Sequence, residues 1–204
     1  MPRLLLVRHG ETRANAEARY QGQNDTPLNE LGHQQAQRLV TRLARENIAR
    51  IYASDLPRAM QTAAPVAAYL GLPVEADVRL REIDVGEWEG LTFTGIQQRY
   101  PELAAEWDRN PGHTRIPGGE SAADMAERVH ALLDELRALP DELPVLLVTH
   151  GGWLQTLFCE CLHVDLRWRY QFRLHNASLS VLSIYDEHAM LELFNDHAHL
   201  RGLG

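Results

Sequence analysis

Three features of the sequence predict an α/β fold with a mostly parallel central sheet, helices on both faces and an antiparallel edge. First, "RLLLV" at 3–7 and "PVLLVTH" at 144–150 are apolar runs almost free of polar interruption, as expected of strands buried on both faces. Second, between these runs strand-like and helix-like segments alternate along the chain. Third, "LSVLSIYD" and "MLELFND", separated by "EHA", read as a hairpin of antiparallel strands near the C-terminal end.

The first run stops on Arg8, His9 and Gly10, an abrupt change from apolar to basic. From Asn29 onward, Leu31, Ala36, Leu39, Val40, Leu43 and Ala44 recur at helical spacing. "RIYA" at 50–53 reads as the next strand, and Pro57 suits the first turn of a helix running towards Gly71. "LPVEADV" then supplies a short third strand. Over about 86–120 Gly, Pro and Trp are frequent, in "GEWEGLTFTG" and "NPGHTRIPGGES", which predicts a mostly surface-lying excursion with one or two short helices. Ser121 begins a helix capped by its hydroxyl, and Pro140 ends it. His150 closes the second fully apolar strand, and another helix follows from Gly151. There are no internal repeats, and 204 residues with 45% hydrophobic content predict a single domain over 1–204.

A formal net charge of -8 argues against a nucleic-acid partner, because such surfaces need clustered positive charge. Any anionic ligand must be held locally. All 20 positive side chains are Arg, which excludes lysine Schiff-base chemistry and the phosphate loop ending in Gly-Lys-Ser/Thr, and suits bidentate phosphate contacts. Cys159 and Cys161 fall on a predicted helix with side chains about 200° apart, so they read as small core residues rather than a disulfide or zinc pair. No stretch approaches the length of a membrane span, so no membrane partner and a soluble, reducing, cytoplasmic setting are expected.

In open α/β sheets ligands bind beyond the C-terminal ends of the strands. Arg8 and His9 close one such strand and His150 another, so the binding crevice is expected where these runs stop. Four segments can converge there: "RHGETRAN" at 8–15, "SDLPRAMQTA" at 54–63, "LREIDVGEWEG" at 80–90 and "VTHGG" at 148–152. In this order they resemble the histidine phosphatase superfamily, also called phosphoglycerate-mutase-like. Its pattern is a strand followed by Arg-His-Gly, an Arg within S-x-L-x-R-A-x-Q-T-A, an acid before G-x-W/L-x-G, and a strand-ending T-H-G-G. With "FNDHAHL" the resemblance spans nearly the whole chain, and it implies that family's three-layer sandwich.

Carried over by position, the resemblance implies that His9 is the nucleophile, that Arg8, Arg58 and His150 clamp the phosphoryl group, and that Glu82 is the general acid. Asn15, Gln21 and Gly22 match positions that touch phosphate or substrate. The chemistry is consistent with these residue types. Two arginines and a second histidine can stabilise charge on the non-bridging oxygens throughout transfer. A nucleophilic histidine must be neutral, and neighbouring Arg charge and burial both favour that form. A backbone carbonyl at Nδ1 would leave Nε2 facing phosphorus, and Gly10 would let the backbone crowd the site. The leaving oxygen needs a proton, which a carboxyl group can donate; the resulting carboxylate can then activate water.

Other readings stay open on the residues alone. Asp84, Glu87 and Glu89 lie near Glu82 and compete for the acid role, and only the family match selects Glu82. Asn15 and Gln21 suit bonds within their own loop, and Thr149 suits either strand propensity or the pocket. His197 and His199 alternate as metal ligands do, but no third ligand lies nearby, so neither a metal nor any other cofactor is expected. Trp88, Tyr100, Trp107, Trp168 and Tyr170 read as core or lid aromatics, some suited to the substrate mouth.

Mutases of the family are similar to one another in a longer insertion carrying a paired basic clamp. Here the stretch from Gly90 to Pro117 has only scattered Arg99, Arg109 and Arg115. The "REIDVGEWEG" segment and the length look more like bacterial broad-specificity and α-ribazole-phosphate phosphatases. The expectation is a metal-independent phosphomonoesterase for small phosphorylated metabolites, working through a phosphohistidine as a monomer or homodimer and also binding inorganic phosphate. A phosphoglycerate mutase is the alternative. A non-catalytic phosphate-binding module is disfavoured, since no member of the catalytic set is missing.

Overall fold

The computed structural model describes residues 3–139, 144–185 and 188–203. Four strands run parallel: β1 (Arg3–Arg8), β2 (Arg50–Ala53), β3 (Val74–Ala76) and β4 (Val145–Thr149). β5 (Leu179–Ile184) and β6 (Ala189–Asp196) add the antiparallel edge, in the sheet order β3-β2-β4-β1-β5-β6. The helices are α1 (Arg13–Ala16), α2 (Glu30–Leu43), α3 (Pro57–Leu70), α4 (Phe93–Arg99), α5 (Pro101–Arg109), α6 (Ala122–Arg137) and α7 (Gly151–Cys161).

β1 and β4 are apolar on both faces because both faces are covered. Leu5, Val7, Leu146 and Val148 pack on the side of α2 and α3, while Leu4, Leu6 and Leu147 pack with residues of α6 and α7. The result is the expected three-layer sandwich. The helix boundaries follow local chemistry. Asn29 Oδ1 accepts from Gly32 N at 2.8 Å and starts α2. Pro57 occupies the first turn of α3, and Gly71, at φ 67°, ends it in the left-handed region. Ser121 and Asp124 form a reciprocal capping box at the start of α6. The expected stop at Pro140 and residues 186–187 of the hairpin connection lie outside the described residues.

The 86–120 excursion lies mostly at the surface, as expected, but it is anchored inward by a few apolar side chains. Trp88, Ile96, Trp107 and Ile116 are buried and share one core with Leu132, Leu147 and Trp153. Trp88 packs edge-on against both Tyr20 and Trp107, with ring centroids at 5.8 and 5.1 Å. Gly and Pro here mark breaks in regular structure, whereas the apolar side chains between them are drawn inward like any others. The two short helices, α4 and α5, were expected, but α1 and the 3₁₀ turns at Val78–Leu80 and Leu166–Gln171 were not. Cys159 is buried, and both cysteines are free thiols. Among the described residues no helix is long and apolar enough to cross a membrane.

A buried Trp88 sets a clear expectation for stability. Trp88→Ala should destabilise the protein by about 3–5 kcal/mol in equilibrium urea unfolding, the range for removing a core aromatic. A change within about 0.5 kcal/mol, typical of surface substitutions, would contradict this placement.

Candidate active site

β1 and β4 pair in parallel with Arg8 opposite Thr149, and the ladder ends with His9 N donating to Thr149 O at 2.8 Å. The residues that follow, His9 and His150, are thereby brought together, with ring centroids 5.1 Å apart. A cavity of about 290 Å³ opens at this end of the sheet. Arg8, His9, Asn15, Gln21, Gly22, Arg58 and Glu82 all line it, and His150 is fully buried against His9. The structure therefore brings every residue expected at the site into one place.

His9 is only 2% exposed, and its Nδ1 lies 2.7 Å from Gly10 O. That carbonyl can only accept, so Nδ1 carries the proton and Nε2 keeps its lone pair. Burial lowers the His9 pKa well below the ordinary 6.5, and the charges of Arg58 and Arg8 lower it further against the Gly10 bond. The histidine expected to be the nucleophile is thus a neutral imidazole. Asn176 Nδ2 donates to His9 O at 3.0 Å and Gly10 N donates to Thr62 Oγ1 at 2.9 Å, fixing the turn on both sides. Gly10 is needed less by the cavity than by α2: a Cβ there would stand 2.7 Å from Gly32 O.

The cationic groups are held by carbonyl oxygens rather than carboxylates. Arg8 Nη1 donates to Leu174 O at 2.7 Å, leaving Nε buried without a partner among the described residues. Arg58 donates from Nη1 to Asn24 O and from Nη2 to Gly22 O, both at 2.8 Å, and from Nε to His150 Nδ1 at 3.2 Å. The last bond makes Nδ1 of His150 an acceptor and places its proton on Nε2, which is buried and has no partner among the described residues. Burial lowers the His150 pKa well below 6.5, with Arg58 the next cause. It also pulls Arg58 down to about 10, with Glu82 opposing and Arg8 adding. Arg8 is likewise lowered by burial. Desolvated donors without protein partners form a place for an anion.

Of the four neighbouring acids only Glu82 lines the cavity. Its Oε1 accepts from Ile83 N at 2.9 Å and its Oε2 from Gly152 N at 3.0 Å, at the start of α7. Asp84 is engaged by Gly86 N, Glu87 by the Tyr100 hydroxyl and Glu89 by Gln23 N. The Glu82 main chain is held by Arg128, which donates from Nη2 to Glu82 O at 3.1 Å and to Glu120 Oε2 at 3.0 Å. The glycines of "VTHGG" are explained by close approach. A Cβ on Gly151 would lie 3.3 Å from Arg8 Nε, and one on Gly152 would overlap Glu82 Oε1 and lie 2.8 Å from Arg169 Nη2.

Asn15 Oδ1 accepts from Thr12 N at 3.1 Å and Asn176 Nδ2 at 3.2 Å, so part of this side chain serves its own loop while it lines the cavity. Gln21 Oε1 accepts from the Thr12 hydroxyl at 2.8 Å. Thr149 does not line the cavity; its hydroxyl donates to Leu80 O at 2.6 Å. His197 and His199 each bond a backbone carbonyl, of Asn195 and Ala177. Tyr170 and Trp107 line the mouth, whereas Trp168 is exposed on the surface. Sequence reasoning missed Leu174, Asn176, Arg128 and Arg169. Carbonyl clamps carry no side-chain signal, while Thr62 had one in its place within the "RAMQTA" stretch.

Neutral burial of His9 has a consequence for stability. Below about pH 6.5 the unfolded chain protonates this residue, whereas the folded chain takes up no proton there until a much lower pH. Its contribution is therefore full above that pH and lost as the pH falls. Urea unfolding between pH 6 and 5 should show a shallower loss of stability in His9→Asn than in the native chain, by up to about 1.4 kcal/mol per pH unit. Equal slopes would contradict a neutral His9.

Residues 4–197 match the model of the histidine phosphatase superfamily (branch 1). Phosphoserine phosphatase 1 of Hydrogenobacter thermophilus is 36% identical over 200 residues, covering 98% of this chain and 95% of that protein. A probable phosphoglycerate mutase, GpmB, of Yersinia pestis is 37% identical over 206 residues, with the same coverage of 98% and 95%. Among solved structures, a mycobacterial glucosyl-3-phosphoglycerate phosphatase in complex with VO3 superposes with a TM-score of 0.87 at 36% identity, covering 95% of this chain and 98% of that one. With the family model matched over nearly its whole length, this chain belongs to the histidine phosphatase superfamily.

Proposed function

We propose that this protein is a metal-independent phosphomonoesterase that hydrolyses small phosphorylated metabolites through a phosphohistidine at His9. The observation that carries this reading is the 2.7 Å bond from His9 Nδ1 to Gly10 O, which leaves Nε2 of a neutral ring for the cavity. Arg8, Arg58 and His150 hold the phosphoryl oxygens, supplying the charge stabilisation that metal ions supply in other phosphoryl-transfer sites. The Nε2 lone pair attacks phosphorus, the bond to the leaving oxygen breaks, and Glu82 gives that oxygen its proton. Water then attacks the phosphohistidine, Glu82 takes a proton from it, the P–N bond breaks, and phosphate leaves with the enzyme restored. Asn15 from α1, with Gln21 and Gly22 from the loop after it, helps hold the substrate.

Hydrolysis is favoured over mutase action by where the arginines of the excursion lie. None of Arg99, Arg109 and Arg115 lines the cavity, and Arg115 is paired with Asp124 at 2.6 Å. A mutase would convert 3-phosphoglycerate to 2-phosphoglycerate in the presence of 2,3-bisphosphoglycerate without releasing phosphate.

Activity on p-nitrophenyl phosphate should survive excess EDTA; loss on chelation with rescue by Mg²⁺ or Mn²⁺ would overturn metal independence. Glu82→Gln should slow turnover of an alkyl phosphate by roughly 10²–10⁴-fold, the range for removing a general acid. With an aryl ester, whose leaving group departs without help, the variant should still give a burst of released phenol followed by slow turnover. Wild-type rates in both phases would move the acid role to another carboxylate.

A further inference from the structure

Arg169 takes no part in the mechanism above, yet it faces the same cavity. It lies in the 3₁₀ turn Leu166–Gln171 packed on α7 and is 1% exposed. Nη2 donates to Gly152 O at 3.3 Å, while Nε and Nη1 are buried without partners among the described residues. Its guanidinium carbon lies 5.2 Å from the Tyr170 ring centroid, and Tyr170 in turn lies 6.1 Å from Trp107. Two guanidinium donors withdrawn from water without partners are unfavourable until an acceptor meets them. Arg8, itself half-buried, likewise has an unpartnered Nε among the described residues and a place in the cavity wall.

We propose that Arg169 binds the carboxylate of a substrate whose phosphoryl group lies against Arg8, Arg58 and His9. The inference rests on the phosphomonoesterase reading of the site and narrows its substrate class to small phosphorylated carboxylic acids. The spacing follows from α7. Arg8 approaches the Cβ position of Gly151 and Arg169 that of Gly152, so the two guanidinium groups flank successive residues and the two anionic groups are separated by a short linker. The charge also matches. Arg8, Arg58 and His150 meet a multiply charged phosphoryl group, whereas one guanidinium, beside the carboxylate of Glu82, meets a single negative charge. Tyr170, half exposed, and the buried Trp107 line the same cavity, and Trp107 and the 1% exposure of Arg169 keep the guanidinium from water, which strengthens the contact.

A matched pair of substrates tests this. Glycerol 3-phosphate differs from 3-phosphoglycerate only in carrying CH2OH in place of the carboxylate. The native chain should favour 3-phosphoglycerate by about 10- to 100-fold, the value of a charged hydrogen-bonded contact. Arg169→Met should bring the ratio close to one, and Arg169→Lys should retain part of it. The ratio is read as kcat/KM where phosphate is released and as a calorimetric Kd where it is not, so failure of hydrolysis would sink the phosphomonoesterase reading while the carboxylate contact is still measured. A native ratio near one, needing no substitution, would overturn the proposal. So would a ratio unchanged in either variant, or equal losses for both substrates with a displaced pH profile, which would mark Arg169 as acting through Glu82.

Discussion

The hydrogen bond from His9 N to Thr149 O is the last rung between β1 and β4, and the site depends on it. Parallel strands paired in register end at the same level, so the chain leaves both strands side by side. The first residue beyond each is a histidine, and this brings the two rings to 5.1 Å. A one-residue slip in this pairing would turn alternate side chains from one face to the other and separate the two rings. The buried leucines of β1 and β4 hold that register, because both faces of both strands are committed to packing. Core and catalysis are in this sense one arrangement.

Around the two histidines, backbone geometry does much of the electrostatic work. Arg8 and Arg58 are oriented by carbonyl oxygens of Leu174, Asn24 and Gly22, which fix direction without neutralising charge. A carboxylate in their place would have formed a closed ion pair and left less positive potential for a bound anion. The acid is treated similarly. Glu82 is steered by the amides of Ile83 and Gly152, and Arg128 holds its main chain from behind while its own charge meets Glu120. The start of α7 is the meeting point, and it admits these side chains because positions 151 and 152 have no Cβ.

Much of this was legible before any coordinates. Uninterrupted apolar runs predicted β1 and β4, and "RIYA" coincides with β2 residue for residue. Asn29, Pro57, Gly71 and Ser121 marked helix ends through their own chemistry. Two things were hidden. The inward anchoring of the excursion was hidden because Gly and Pro report broken regularity, whereas the burial of Trp88 and Ile116 depends on distant partners such as Trp153. Arg169 was invisible because nothing in "DLRWRYQF" says that its guanidinium turns inward; that depends on how a short 3₁₀ turn seats on α7. Glu82 was singled out from Asp84, Glu87 and Glu89 by the family resemblance alone, since all four share one short segment; of the four, it is the one that lines the cavity.

The central claim is that this geometry makes His9 Nε2 the phosphoryl acceptor. Rapid-quench trapping with a ³²P-labelled monoester, followed by peptide mapping, tests it most directly. The account predicts one acid-labile, base-stable adduct on His9 that forms within a single turnover and decays as phosphate appears. Label on His150 or on a carboxylate, or full turnover with no labelled protein at any time, would contradict it.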